Sequence, residues 1–204
     1  MRCHLSLSIL AAATSLSPRL PALAAQQAPV VTESPAANHN AVALSPIYAE
    51  RFACMEHPPG ELPHLGDALG TDCFIMSGDA ERPFMRPFRT DGRSNEDWYG
   101  WGQPVLSPVD GIVRDVILGR GTNQTGVPGA PPASIIEIEA EDGTMVSLAH
   151  VEGITIATGD TVTAGQQLGV VGNNGFSRSP HIHVGAWRDK QPLQVRWLLE
   201  PVAR

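Results

Sequence analysis

The sequence predicts an all-β fold with little helix, and three observations carry that expectation. Glycine (20) and proline (18) in 204 residues exceed their ordinary combined usage of about 12%, which implies frequent turns. Apolar and polar residues alternate in short runs, most clearly over residues 134–140, SIIEIEA; a period of two marks a half-buried strand. Turn pairs recur between such runs, at Asp110-Gly111, Asp142-Gly143 and Asn174-Gly175, where glycine supplies positive φ. With 42% apolar and 17% charged residues, the chain can bury a core, which excludes wholesale disorder.

Taken in order, residues 1–25 read as a secretory signal peptide. Arg2 precedes an apolar stretch from Leu5 to Ala13, and Ala22-Leu23-Ala24 forms a small-x-small cleavage site, the order of parts that such signals have. Pro18 and Pro21 argue against a buried helix there, and no Cys follows the cleavage site to carry a lipid. Loss of Arg2 and Arg19 would take the net charge from -7 to -9. That balance argues against a nucleic-acid binder, and no apolar run reaches the roughly 18 residues of a membrane span. Residues 26–46, rich in Ala, Pro, Gln, Asn and Ser, read as a flexible leader, which leaves residues 47–204 as one domain. Cys3 leaves with the signal; Cys54 and Cys73 form an even pair in an exported chain, so a disulfide is expected.

Within the domain, residues 74–103 lack periodicity, and an irregular stretch of that length is usually a functional loop. Short strands are expected over residues 105–113, 134–140, 145–150, 167–171 and 181–187. Residues 193–199 are the one candidate for a short helix.

The chemistry concentrates in His181-Ile182-His183. Residues i and i+2 of a strand share a face, so both imidazoles project together, as a metal or a proton-transfer site requires. His150 ends another strand. Of the five histidines outside the signal and leader, these three fall on two strands, which favours a site over isolated core histidines.

Ser147-Leu148-Ala149-His150, residues 159–172 (GDTVTAGQQLGVVG) and Ser179-Pro180-His181-Ile182-His183-Val184 together resemble the lysostaphin-type zinc endopeptidases. Residues 102–113, GQPVLSPVDGIV, are similar to that family's entry into its sheet. The resemblance runs over about residues 50–190. It implies an antiparallel β-sheet of the barrel-sandwich hybrid kind with a groove, zinc as cofactor, and peptidoglycan peptides as the partner that is cut; the irregular stretch is then expected as a long insert before the first core strands. It also implies roles: His183 as a zinc ligand, and His181 and His150 as the groups that handle the attacking water and the tetrahedral intermediate.

Upstream, the sequence departs from the family, which draws its other two ligands from a His followed four residues later by Asp. Asp72 opens the apolar run Cys73-Phe74-Ile75-Met76, as the family's ligand aspartate does, but Ala68 stands where the histidine is due. His64 is the expected replacement, so the expected metal set is His64, Asp72 and His183. His57 is the fallback, and His64 with Asp67 a further pairing. The missing histidine leaves room for a second class of function, a non-catalytic relative that regulates another cell-wall hydrolase. A third class, a biotinyl or lipoyl carrier, shares the Asp110-Gly111-Ile112-Val113 and Gly159-Asp160-Thr161-Val162 pattern. It needs an acylated lysine at a hairpin tip, and Lys190, the only lysine, is expected beyond the last strand.

Overall fold

The computed structural model describes residues 40–78 and 83–199; the expected signal peptide and most of the expected leader lie outside them. Chain order gives β1 (Ala41–Leu44), β2 (Phe52–Glu56), β3 (Thr71–Ile75), a single 3-10 turn (Asn95–Asp97), β4 (Pro104–Leu106) and β5 (Gly111–Ile117). Then follow β6 (Ile135–Glu139), β7 (Met145–Ala149), β8 (Val151–Glu152), β9 (Thr161–Val162), β10 (Gln167–Val171), β11 (Ile182–Arg188), β12 (Gln191–Pro192) and β13 (Gln194–Trp197). The fold is all-β, as expected.

The main sheet runs β2-β3-β11-β7-β6-β5-β9, with β12 beside β11; a three-stranded sheet runs β4-β10-β8, and β1 pairs with β13. All pairings are antiparallel except β1 with β13, which is parallel. The alternation read from the sequence decides which face is buried. Ile136 and Ile138 of β6, Val146 and Leu148 of β7, and Ile182 and Val184 of β11 are fully buried, and they pack with Val105, Val113, Val151, Val162 and Leu168 from the strands around them. Burying a side chain of this size stabilises the fold by about 1.5–3 kcal/mol, so the register of the central strands is strongly fixed.

Three differences from the sequence reading stand out. The leader's last residues are structured: β1 lies inside it, and Leu44 is fully buried. The expected helix at residues 193–199 is instead β13, because β1 offers its backbone groups a partner at the register Ala41 to Gln194. The irregular insert falls after β1, β2 and β3 rather than before the first core strands. Cys54 and Cys73 face each other across β2 and β3 and are disulfide-bonded.

Candidate metal centre and active site

The opposite face of the main sheet, at one end, gathers the polar groups. β3 directs Thr71, Cys73 and Ile75 into the core, so Asp72 and Phe74 point the other way. β11 does likewise with Ile182 and Val184, which turns His181 and His183 outward. Register then places His183 opposite both Asp72 and Ala149, and His150 follows Ala149 in the left-handed region at φ 69. His57 comes from one residue past β2, where its N–H donates to the Gly70 carbonyl at 2.8 Å and so extends the β2–β3 pairing by one step.

These strands bring three donor atoms together. His183 Nδ1 lies 2.9 Å and His57 Nε2 3.6 Å from Asp72 Oδ1, and one ligand atom from each residue lies within 4.8 Å of the others. His181 Nε2 is also 3.6 Å from Asp72 Oδ1. His150 packs against His181 at 4.7 Å between ring centroids. Phe74 stacks on the far side of His181 at 4.9 Å, which holds that ring's plane.

Each of the four imidazoles gives one nitrogen to a backbone carbonyl. His57 Nδ1 meets Asp67 O at 2.9 Å, His183 Nε2 meets Gly66 O at 2.9 Å, His150 Nδ1 meets Asn174 O at 2.8 Å, and His181 Nδ1 meets Ser179 O at 2.8 Å. A carbonyl only accepts, so the nitrogen facing it carries the hydrogen. In the neutral ring the other nitrogen then presents a lone pair to the cleft. Such carbonyl partners fix tautomer and orientation around metal sites.

The carbonyl of Gly66 can come this close because of two glycines. A Cβ on Gly185 would sit 1.9 Å from Gly66 O, and one on Gly70 would sit 2.7 Å from His183 Cε1. Either side chain would push the 66–70 turn off the sheet.

Electrostatics follow the same contacts. Burial raises the Asp72 carboxyl, but hydrogen bonds and charge from His181 and His183 outweigh it and hold the group well below the usual carboxylate range. Burial would lower His183, yet its hydrogen bonds to Asp72 and the Gly66 carbonyl, with the charges of Asp72 and Asp67, bring it above its ordinary value. Burial, helped by the neighbouring His181, pushes His150 down to about 3. These directions describe the site without metal.

The centre opens on a cleft of about 590 Å³, lined also by Leu62, Asp67, Pro128, Pro131 and the 176–179 turn. The expected residues Asp72, His150, His181 and His183 all meet there. His64 does not: it is exposed on the turn where the Asp67 and Ala68 N–H groups bond its carbonyl, and His57 stands beside Asp72 in its place. Among the described residues, none of 83–103 lines the cleft. The insert instead braces it from outside: Asn95 bonds the Asn123 carbonyl and Asn173, and Trp98 packs near Phe74. Sequence reasoning missed Asn173 and Asn174, which are buried and tie the insert, the 134 region and His150 together. The Asn-Asn-Gly turn was their only signal.

Comparison with known proteins bears on the half of the site that carries His150, His181 and His183. The model of peptidase family M23 matches residues 98–195. That match supports a lysostaphin-type M23 family. His57 and Asp72 lie before the matched region. A curated relative, an uncharacterized metalloprotease of Buchnera aphidicola subsp. Baizongia pistaciae, is 28% identical over 95 residues, 47% of this chain. The chain spans only 23% of that relative's length. The catalytic domain of the antimicrobial peptidase lysostaphin from Staphylococcus simulans is 20% identical with a TM-score of 0.41, over 70% of this chain and 86% of that one. A zinc-containing peptidase from Vibrio cholerae is 19% identical with a TM-score of 0.46, over 76% and 39%. The M23 match favours a peptidase over a carrier, although Lys190 does occupy a hairpin tip: Asp189 and Lys190, both at positive φ, turn β11 into β12.

Proposed function

We propose that this protein is an exported, zinc-dependent endopeptidase that hydrolyses peptide bonds of peptidoglycan, in cross-links or stem peptides, with water as the nucleophile. The observation that carries the reading is the convergence of His57 Nε2, Asp72 Oδ1 and His183 Nδ1 beside two further imidazoles facing the same cleft. Two imidazoles and one carboxylate suit zinc, whereas magnesium and calcium prefer all-oxygen sets. Three protein donors also leave a position open. A zinc ion held by His57, Asp72 and His183 would supply Lewis acidity, polarising a carbonyl and lowering the pKa of water toward 7.

The remaining steps belong to side chains. His150 and His181, each with its Nδ1–H committed to a carbonyl, turn Nε2 toward the cleft. A neutral imidazole there takes the proton of the attacking water and passes it to the leaving amine; a protonated one donates to the oxyanion that forms at the carbonyl. Two such groups have no use in a purely structural metal site. The regulator reading draws its support from Ala68; His57, with Nε2 3.6 Å from Asp72 Oδ1, supports the peptidase reading instead.

The test is digestion of purified peptidoglycan, with released fragments identified by mass and zinc measured on the same samples. Chelation should abolish release and added zinc restore it. His150→Ala and His181→Ala should keep close to one zinc per chain while losing roughly 10²–10⁴ in rate. A wild-type protein that neither binds zinc nor releases fragments, but activates an added amidase, would establish the regulator instead.

A further inference from the structure

We propose that Arg178 makes this cleft selective for peptides bearing a free carboxylate close to the bond that is cut; the inference rests on the peptidase reading and names its substrate class. Phe176 and Arg178 are exposed and line the cleft from one turn. The backbone of that turn is pinned at Gly175, Ser177, Arg178 and Ser179. Asn123 Nδ2 donates to the Gly175 and Ser177 carbonyls at 2.8 and 2.9 Å, Gly126 N–H to the Arg178 carbonyl at 2.8 Å, and His181 Nδ1 to the Ser179 carbonyl at 2.8 Å. Ser177 between them is buried, with its hydroxyl on Asn173 Oδ1 at 2.9 Å. A ring and a guanidinium thus stand out from a rigid support, which lowers the ordering cost of binding through them.

Arg178 is the one arginine or lysine among the cleft's described lining residues, and it has no ion pair or side-chain hydrogen bond within the described residues. The acidic groups of the cleft, Asp67 and Asp72, are gathered at His183. The rest of the lining includes the apolar Leu62, Pro128, Pro131 and Ile135. The chain as a whole is acidic, with a formal charge of -7, so long-range attraction of an acidic peptide is excluded. Capture must come from a local contact within about a Debye length, about 8 Å at physiological salt. A free guanidinium fork matches a carboxylate in two-point geometry that an amide cannot reproduce. Peptidoglycan stems supply such carboxylates, in free or amidated form.

The experiment uses cross-linked stem peptides in which each free carboxylate is replaced in turn by its amide. The ratio of kcat/KM for the free and amidated forms is read for wild type, Arg178→Gln and Arg178→Lys. At one position the wild-type ratio should be tenfold or more, fall to near one in Arg178→Gln, and recover in part in Arg178→Lys, which restores charge without the fork. A ratio that survives in Arg178→Gln, or a wild type without preference at any position, overturns the proposal. Should wild type cut none of the peptides, the peptidase reading fails by itself. Calorimetric titration of the same peptide pairs then decides about Arg178: free-carboxylate preference lost in Arg178→Gln supports the site, and equal affinities throughout remove it.

Discussion

His150 and Asn174 stand 24 residues apart in sequence and meet at 2.8 Å, imidazole Nδ1 to backbone carbonyl. His150 reaches that carbonyl from the left-handed region, φ 69, a conformation that costs a non-glycine residue roughly 1–2 kcal/mol. The Asn174 side chain holds the surroundings in place, accepting from Ser134 N–H at 2.7 Å and donating to the Val151 carbonyl at 3.2 Å. Strained backbone held by a buried polar network is what a positioned functional group requires.

The contact between His57 and Asp72 predicts which histidine binds metal. His57→Ala and His183→Ala should each lose most bound zinc after dialysis against a weak chelator. His64→Ala should retain close to one zinc per chain. Elemental analysis of the three variants measures this directly. Retention in His57→Ala with loss in His64→Ala would mean that the 64–69 turn rearranges around the ion.

The burial of His150 predicts acid sensitivity of the metal-free protein. Its folded pKa is lowered to about 3, against about 6.5 in an unfolded chain. Between those values the unfolded state binds the extra proton, so stability rises with pH through that window and falls on acidification. His183, shifted upward, acts in the opposite sense: its contribution is full below about 6.5 and fades as pH rises through its folded value. Wild type and His150→Gln must therefore be compared at the same pH. Urea unfolding at pH 7 and pH 5 should show wild type losing about 2 kcal/mol more than His150→Gln. Equal losses would show that His150 becomes protonated without cost in the fold.

The bond between Cys54 and Cys73 predicts that denatured, unreduced protein has no thiol from this pair to titrate. It closes a loop across a sequence separation of 19, which corresponds to about 3 kcal/mol in the chain-entropy model. Reduction should lower the melting temperature. It should also weaken zinc retention, because Cys73 adjoins Asp72 and Cys54 lies on the strand that leads into His57. Unchanged zinc affinity after reduction would show that the β2–β3 ladder alone aligns the ligands.

What the sequence disclosed follows from how far each signal reaches along the chain. The shared face of His181 and His183 depends only on strand period, and the core alternation of Ile136 and Ile138 likewise, so both were legible. His57 was only a fallback because ligand spacing was sought along one strand. The histidine comes from the partner strand, 15 positions before Asp72, and only the β2–β3 register reveals their meeting. The sequence Phe-Ala-Cys-Met-Glu of β2 has no clean alternation, since its residues are at best half-buried. β1 and β13 were unreadable for a related reason: four-residue strands whose partners lie at the other end of the domain carry no local mark of that partnership.

The parallel pairing of β1 with β13 has a practical consequence for any shortened form of this protein. A chain begun at residue 47, where composition alone would cut, would remove Leu44 from the core and strip β13 of its one strand partner among the described residues. The strand would then offer a bare row of N–H and C=O groups, an invitation to pair with other molecules. Aggregation during purification would follow, and it could be mistaken for intrinsic insolubility of the domain.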